Sequence, residues 1–408
     1  MRKNSARMEG NMSKKISRGM VICMVLSMLC SCFLSNNVLA YSNTETDEII
    51  LKQEDDIENL DGLCLDLSND NIVPDKNGDV TIPIQDTYTT EENNNLSRIS
   101  SISGRLKFTI TNLSDFSDVS GVKPMHRPIQ NFYATSQYIY VTQVYNGNNV
   151  KLSRCEITSS NSATYKDSMN LEHVGHGQTL VPYTRTDNGV TNHYFLVCAN
   201  ANEEYNEANE IGRIKYVATQ SLKNTQINSL SNVAYSNSNK SKFANLRRCA
   251  INLSTDGENM ILFKQSTSGN VQYSYYDFNT VHDVLNSNNS EKKDFQKSTT
   301  LSDACFYVIN RSNLPLSQLQ GIDIDDDLNV YIVCDGNNTV EKQAVLSVIF
   351  WDTETTKNYN LSWKLSEDLE IEGIQVRTDK IYIGAAPYND VGRSKAYIFS
   401  IDKSDVVK

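Results

Sequence analysis

Apolar and polar positions along this chain recur as a module of two strands joined by a tight turn. In Leu319–Gly336 the apolar Ile322 and Ile324 alternate with aspartates, an Asp/Asn-rich turn follows, and an apolar run covers Val330–Cys334. This pattern predicts a half-buried strand, a turn and a second strand. The pattern returns 52 positions later in Glu372–Gly384. A hairpin that recurs in this way is typical of a repeat fold.

Three looser copies of the module precede these two, which makes five leading positions. They are residues 130, 178, 249, 320 and 372, separated by 48, 71, 71 and 52 positions. Blades of a β-propeller take roughly 40–50 residues, and Asn/Ser-rich insertions at 202–240 and 286–300 account for the longer spacings. Several second strands are apolar at every position, as expected for strands covered on both faces, whereas sandwich strands more often alternate. The sequence therefore predicts an all-β fold, a β-propeller with five blades.

An alternating stretch upstream of the repeats is predicted to close this ring. Between residues 105 and 112, Leu106, Phe108 and Ile110 alternate with polar side chains, as in a half-buried strand. A ring of blades must be closed or leave exposed strand edges. We therefore expect this strand to complete the outer edge of the last blade, beside residues 396–401.

The first 40 residues have the pattern of a secretory signal peptide. Lys14, Lys15 and Arg18 precede an uncharged run, Met20–Leu34, and small residues ending at Ala40 offer a cleavage site. The alternative is a membrane anchor. A bilayer span needs ~20 apolar residues, whereas this run has fifteen positions and includes two serines. The sequence therefore predicts a secreted, extracellular protein without a transmembrane anchor.

Residues 41–100 form a strongly acidic segment. They hold fifteen acidic and three basic residues, a net charge of −12, whereas residues 101–408 carry only −4. Acidic composition with few aromatic residues predicts a disordered tail or linker, with a pro-segment as the functional alternative. The propeller is assigned to residues 101–408, and nothing in its charge indicates a nucleic-acid partner.

Six cysteines follow the predicted cleavage site, and outside the cell they could pair in fifteen ways. They are Cys64, Cys155, Cys198, Cys249, Cys305 and Cys334. Because Cys198, Cys249 and Cys334 lie in apolar strands, we interpret these three as small buried hydrophobic residues.

The residues that open the modules are the candidates for ligand binding. In a propeller the inner strands surround the axis, and their first residues meet at one mouth. The candidate ligand-binding residues are His176, Gln178, Arg248, Gln320 and Glu372, together with Gln130 at the same frame position. Amide and guanidinium groups suit hydrogen bonds to sugar hydroxyls or phosphate. The alternative is that these side chains only bond neighbouring blades to one another.

Catalytic and metal-binding patterns are weak. His173 and His176 would fall on opposite faces of a strand, which argues against a shared metal ion. The run Asp323–Asp327 is followed by Leu328 and Cys334, where a calcium loop of the EF-hand type needs Gly and Glu. A glycosidase needs two carboxylates, and Glu372 is the one acid among the module openings. We therefore assign no catalytic residue, metal or cofactor.

Four segments resemble the helveticin J family, which comprises large bacteriocins of Gram-positive bacteria. The resemblance extends over residues 125–400 in the same order, and its segments are Val174–Leu180, Ser229–Val284, Leu319–Ile332 and Glu370–Ala385. It implies a protein that is secreted or released and kills related bacteria. It supplies no established catalytic residues.

The function expected from these observations is that of a secreted bacteriocin. Its propeller mouth would bind a glycan or teichoic acid of the target cell envelope. A glycan-cleaving enzyme of the cell wall or of teichoic acid and a non-lethal surface lectin remain as alternatives.

Overall fold

The computed structural model describes residues 100–407 except 124, 188, 288–291, 316–317, 336–343, 366–367 and 389–393. The chain divides into two bodies, Met1–Glu48 and Ile49–Lys408, and all described residues belong to the second. The predicted signal peptide and acidic tail lie outside the described residues, so the domain boundaries at 40 and 100 stay predictions.

More than half of the described residues are in strands. In chain order the strands are β1 (Ser100–Thr111), β2 (Ile129–Ala134), β3 (Tyr138–Tyr145), β4 (Asn149–Ser159), β5 (Ser162–Glu172), β6 (Leu180–Asp187), β7 (Val190–Ala201), β8 (Ala208–Ile214), β9 (Ser221–Lys223), β10 (Asn228–Ser231), β11 (Leu246–Leu253), β12 (Asn259–Ser266), β13 (Val271–Asp277), β14 (Lys293–Asp294), β15 (Cys305–Arg311), β16 (Gln318–Ile324), β17 (Val330–Asp335), β18 (Ala344–Ile349), β19 (Thr356–Trp363), β20 (Leu369–Val376), β21 (Lys380–Pro387) and β22 (Ala396–Asp402). Two short α-helices, α1 (Phe278–Ser287) and α2 (Thr299–Ala304), lie between β13 and β15.

These strands pair into four-stranded antiparallel units. Unit 1 is β2-β3-β4-β5 and unit 2 is β6-β7-β8-β10. Unit 3 is β11-β12-β13-β15 and unit 4 is β16-β17-β18-β19. Unit 5 is β20-β21-β22-β1. The 202–240 stretch, which its composition predicted to be an insertion, contains the third and fourth strands of unit 2.

The first strands of the five units form a closed ring. Strand β2 contacts β6, β6 contacts β11, β11 contacts β16, β16 contacts β20, and β20 contacts β2. Units that surround an axis with their first strands innermost make a β-propeller, so the predicted fold class is confirmed. Because residues 1–99 lie outside the described part, the blade number of the whole chain stays a prediction.

Strand β1 closes the ring as predicted. It forms the fourth strand of unit 5 by antiparallel pairing with β22, from Arg105 opposite Ser400 to Ile110 opposite Ala396. Its first residues also pair in parallel with β19 of unit 4, and its last residues pair with β5 of unit 1. The N-terminal strand thus completes the unit that the C-terminal strands begin, and it covers the edge that β22 would otherwise expose.

A hydrophobic core fills the space between each pair of neighbouring units. Units 1 and 2 share one around Tyr140 and Phe195, and units 2 and 3 share one that also takes in α1 and α2. The other three cores join units 3 and 4, units 4 and 5, and units 5 and 1. Every position of β17 is buried, as the uniformly apolar second strands predicted.

The cysteines of the described region are part of these cores. Cys155, Cys198, Cys249, Cys305 and Cys334 are all buried. The interpretation of Cys198, Cys249 and Cys334 as small buried residues is therefore confirmed. Cys64 lies outside the described residues. In the part of the chain that the structure covers, no helix combines the length and the apolar character that crossing a membrane requires.

The closing strand offers a direct test of ring closure. Phe108 on β1 is 3% exposed, whereas Leu106 on the same strand is 42% exposed. Phe108→Ala should lower the free energy of unfolding by ~3–5 kcal/mol, because it leaves a cavity between units 5 and 1. Leu106→Ala, the matched control, should change it by less than ~1 kcal/mol. Urea unfolding of both variants measures this, and equal losses would contradict a closing role for the buried face.

Candidate functional site

Five polar side chains on or beside the first strands join each unit to the next. We call them the polar belt, and they are Asn131, Thr179, Asn252, Asp323 and Gln375. In ring order the bonds are Asn131 Nδ2 to the carbonyl of Gln178 (2.9 Å), the amide of Ile251 to Thr179 Oγ1 (3.3 Å), Asn252 Nδ2 to the carbonyl of Ile322 (3.0 Å), the amide of Val376 to Asp323 Oδ2, and the amide of Ala134 to Gln375 Oε1 (3.1 Å). These five bonds run from unit 1 through units 2, 3, 4 and 5 and back to unit 1.

Short Asn and Asp side chains suit three of these positions for a local reason. The side-chain oxygens of Asn131, Asn252 and Asp323 each accept the backbone N–H of the following residue, at 2.8 to 2.9 Å. This local bond holds the side chain against its own strand, while its other polar atom reaches the neighbouring unit.

Asp323 is the charged member of the polar belt. Its carboxylate is 3% exposed, and burial raises its pKa to about 7, although the amides of Val376 and Ile324 oppose this shift. Because this pKa differs from that of an aspartate in the unfolded chain, protonation of Asp323 is coupled to folding.

Next to the polar belt, three of the predicted site residues come together across the axis. Arg248 Nη1 donates to Gln178 Oε1 at 3.2 Å, and Gln178 Nε2 donates to the carbonyl of Leu319 at 2.8 Å. A longer contact of 3.4 Å joins Gln178 Nε2 to Gln320 Oε1. Units 2 and 4 are not neighbours in the ring, so these bonds span the axis. Leading residues of units 2, 3 and 4 therefore meet near the axis.

Glu372 of unit 5 accepts a hydrogen bond from the neighbouring unit 1. Gln130 Nε2 donates to Glu372 Oε1 at 3.0 Å, which joins unit 1 to unit 5. We call Gln130, Gln178, Arg248, Gln320 and Glu372 the mouth network, and each of its members is 1–7% exposed. These five side chains are positioned by bonds to one another and present little surface to solvent.

Glu207 belongs to this site and was missed in the sequence. It lies in the β7–β8 connection, and its Oε1 is 2.9 Å from Arg248 Nη2 and 3.5 Å from His176 Nδ1. Burial alone would raise its pKa, but the bond from His176 and the charges of Arg248 and Arg247 hold that pKa below its ordinary value. In the sequence, Glu207 is distinguished locally only by its place directly before the strand β8. Because acidic residues at strand ends are common, this position alone does not mark a functional residue.

A glycine brings the two halves of this site together. Gly175 has φ +93°, and a Cβ there would lie 2.6 Å from the backbone nitrogen of Ala208. The backbone amides of Val174 and Gly175 both donate to the carbonyl of Asn148 at 2.9 Å. The close backbone approach expected from the glycines is present here, and it places His176 beside Glu207.

His176 is the candidate residue that solvent reaches, since 38% of its side chain is exposed. Arg247 also acts on this site, since its charge helps to lower the pKa of Glu207, and its guanidinium lies 5.8 Å from the ring centre of Tyr205. The second histidine of this loop, His173, has 64% of its side chain exposed and contacts a different residue, Glu203, at 3.9 Å. Within the described ranges, no cluster of His, Cys, Asp and Glu is arranged to hold a metal ion. The arrangement offers imidazole and guanidinium donors above a buried carboxylate, which is chemistry for binding hydroxyl or anionic groups.

The ring of four-stranded units and the polar network at one end of its axis define the class, an all-β propeller protein. The sequence model of the bacteriocin helveticin-J family matches residues 98–403. The chain therefore belongs to the helveticin J family, and the resemblance found in the sequence is confirmed.

Solved structures with a related fold are distant in sequence. An exo-β-1,3-galactanase from Phanerochaete chrysosporium is 10% identical with a TM-score of 0.40, and the match covers 74% of this chain and 66% of that chain, just under two thirds of it. A mannose phosphorylase from Leishmania mexicana is 12% identical with a TM-score of 0.35, covering 74% and 90%. TolB from Acinetobacter baumannii is 10% identical with a TM-score of 0.25, covering 68% and 55%. No curated protein matches the chain.

The raised pKa of Asp323 predicts a specific pH dependence of stability. In the unfolded chain an aspartate titrates near ~3.9, whereas in the folded protein the pKa of Asp323 is about 7. The stabilisation of the folded protein that comes from this higher pKa is therefore fully present below about pH 4 and is lost as the pH rises through 7. Asp323→Asn removes this titration and keeps a side-chain oxygen for one of the two backbone amides.

The measurement is urea unfolding of wild type and Asp323→Asn from pH 4 to pH 8. The free energy of unfolding of wild type relative to the variant should fall by on the order of a few kcal/mol over this range. Asp327→Asn makes the same change on the exposed turn that follows β16 and is the matched control for the loss of one carboxylate. A constant difference for Asp323→Asn would show that this carboxylate keeps the same charge in both states.

Proposed function

We propose that this protein is a secreted bacteriocin that binds a cell-envelope component of related bacteria through the mouth of its propeller and kills them. Membership of the helveticin J family is the observation that carries this proposal. In the same proposal, residues 1–40 are the export signal, residues 41–100 are a linker or pro-segment, and residues 101–408 are the binding body.

His176 is the residue that we propose to contact the ligand directly. It is half-exposed above Glu207 and Arg248, which are 5% and 4% exposed. A buried carboxylate and guanidinium in contact hold each other in place and orient the groups above them. The imidazole can donate or accept a hydrogen bond, so it suits a sugar hydroxyl or a phosphate oxygen.

The other predicted residues have a supporting part in this proposal. Gln178, Arg248, Gln320 and Glu372 are buried and bonded to one another or to Gln130. They form the floor of the mouth, and their bonds across the axis keep its shape constant. A rigid floor lowers the conformational entropy lost when a ligand binds.

His176→Ala tests the proposal, and His173→Ala is its matched control. Both residues are exposed histidines of one loop, but His173 contacts Glu203, which is itself 83% exposed, and lies outside the mouth network. We expect His176→Ala to weaken binding to sensitive cells and killing at least tenfold, which corresponds to about 1.4 kcal/mol of lost binding energy. His173→Ala should leave both unchanged, and thermal unfolding should show that both variants are folded.

Killing is measured as zones of inhibition on related Gram-positive strains, and binding by sedimentation of the protein with intact cells. Equal activity of the two variants would exclude His176 from recognition. Binding without any zone would favour the non-lethal lectin. Release of sugars or glycerol phosphate from isolated walls would favour the glycan-cleaving enzyme.

A further inference from the structure

A cavity on the outer part of unit 2 is separate from the mouth network. Its volume is about 660 Å³, which is within the ~300–1,000 Å³ of typical small-ligand sites. It is lined by residues of β7 and β8, by the end of α1, and by the segment that leads through β9 to β10. Strand β9 pairs with the outer strand of unit 1, so the cavity lies at the seam between units 1 and 2.

Two cations lie over one aromatic ring in this cavity. The guanidinium carbon of Arg213 is 4.6 Å from the ring centre of Tyr194, and Lys215 Nζ is 5.7 Å from it. Hydrogen bonds fix both groups, from Arg213 Nη1 to Asn286 Oδ1 at 2.8 Å and from Lys215 Nζ to Asn192 Oδ1 at 2.7 Å. The described residues that line the cavity include no Asp or Glu, although the chain carries a net charge of −11. Two cationic groups so close together attract an anionic group.

Carboxamides dominate the rest of the lining. Five Asn and Gln side chains reach the cavity: Asn192, Gln220, Gln226, Asn228 and Asn286. A carboxamide both donates and accepts hydrogen bonds, so a set of them matches the hydroxyls of a sugar or polyol. The apolar contribution is small and comes from Ile214, Val217 and Leu222. This lining differs from that of a site for an apolar ligand, which is mostly hydrophobic.

We propose that this cavity binds a hydroxyl-rich chain carrying negative groups, either phosphodiester or carboxylate. The amides hold the hydroxyls, and Lys215 holds one anionic group beside the guanidinium of Arg213. None of the residues that line this cavity belongs to the mouth network, so variants of the two sites can be compared with the same purified polymers.

The test is calorimetric titration of the full-length protein with poly(glycerol phosphate), with polygalacturonate and with neutral maltoheptaose. We expect one or both anionic polymers to bind more tightly than maltoheptaose, and the stronger of the two identifies the anion. This binding should weaken as salt is added, because exposed charges are screened. Lys215→Glu should weaken it at least tenfold. Val217→Trp, at a position that is 49% exposed, should weaken it by filling the cavity.

Two control variants distinguish binding in the cavity from a general charge effect and from binding at the mouth. Lys242→Glu makes the same charge change at an exposed lysine that does not line the cavity, and it should keep wild-type affinity. His176→Ala distinguishes the cavity from the mouth: if this variant loses the polymer affinity and Lys215→Glu keeps it, the polymer binds at the mouth and the proposal is overturned. The proposal is overturned if wild type binds neither anionic polymer, if maltoheptaose binds as tightly, or if Lys215→Glu and Lys242→Glu lose affinity equally.

Discussion

The unpaired inner edge of each first strand is the constraint on which this propeller depends. Among the described strands, β2, β6, β11, β16 and β20 each pair with only one other strand, so their second edges face the neighbouring units without a ladder. A buried backbone group without a partner costs about 1–3 kcal/mol. The polar belt supplies side-chain partners for backbone groups of β2, β11, β16 and β20 and for the carbonyl of Gln178, just before β6, and its five bonds form one closed circuit. The same five bonds therefore satisfy the backbone and set the order of the units.

The ring is held together by strand pairing at its circumference and by hydrogen bonds across its axis. Strand β1 completes unit 5 and also touches units 4 and 1, which holds the circumference. Bonds between Gln178, Arg248 and the carbonyl of Leu319 hold the centre. The hydrophobic cores lie between neighbouring units, and each contributes only if both neighbours are in place. Stability is therefore expected to be shared around the whole ring rather than held by single units.

The mouth and the side cavity use different chemistry. At the mouth, Glu207 and Arg248 form a buried ion pair that costs desolvation energy, and its gain is the orientation of His176 at the surface. In the cavity, Arg213 and Lys215 donate to amide oxygens and lie over the ring of Tyr194.

Local patterns in the sequence were enough to predict much of the fold. The alternation of Ile322 and Ile324 with aspartates, the uniformly apolar Val330–Cys334 and the turn between them predicted β16 and β17, because strand periodicity and turn chemistry act within a few residues. The same reasoning placed β1 beside β22, since an open ring would leave edges exposed. It did not reveal the helices α1 and α2, which lie at the two ends of the stretch 286–300 that resembled an insertion.

The sequence by itself determined the repeated strand pairs, the propeller class and the residues that lead each unit. Only the tertiary structure decided which of those residues bond to one another, because Gln130 and Glu372 are 242 positions apart and no local pattern relates them. It also added Glu207 to the site and assembled the side cavity from four separate stretches of chain. The physical reason is that strand formation depends on near neighbours, whereas hydrogen-bond partners across an axis are set by how whole units pack.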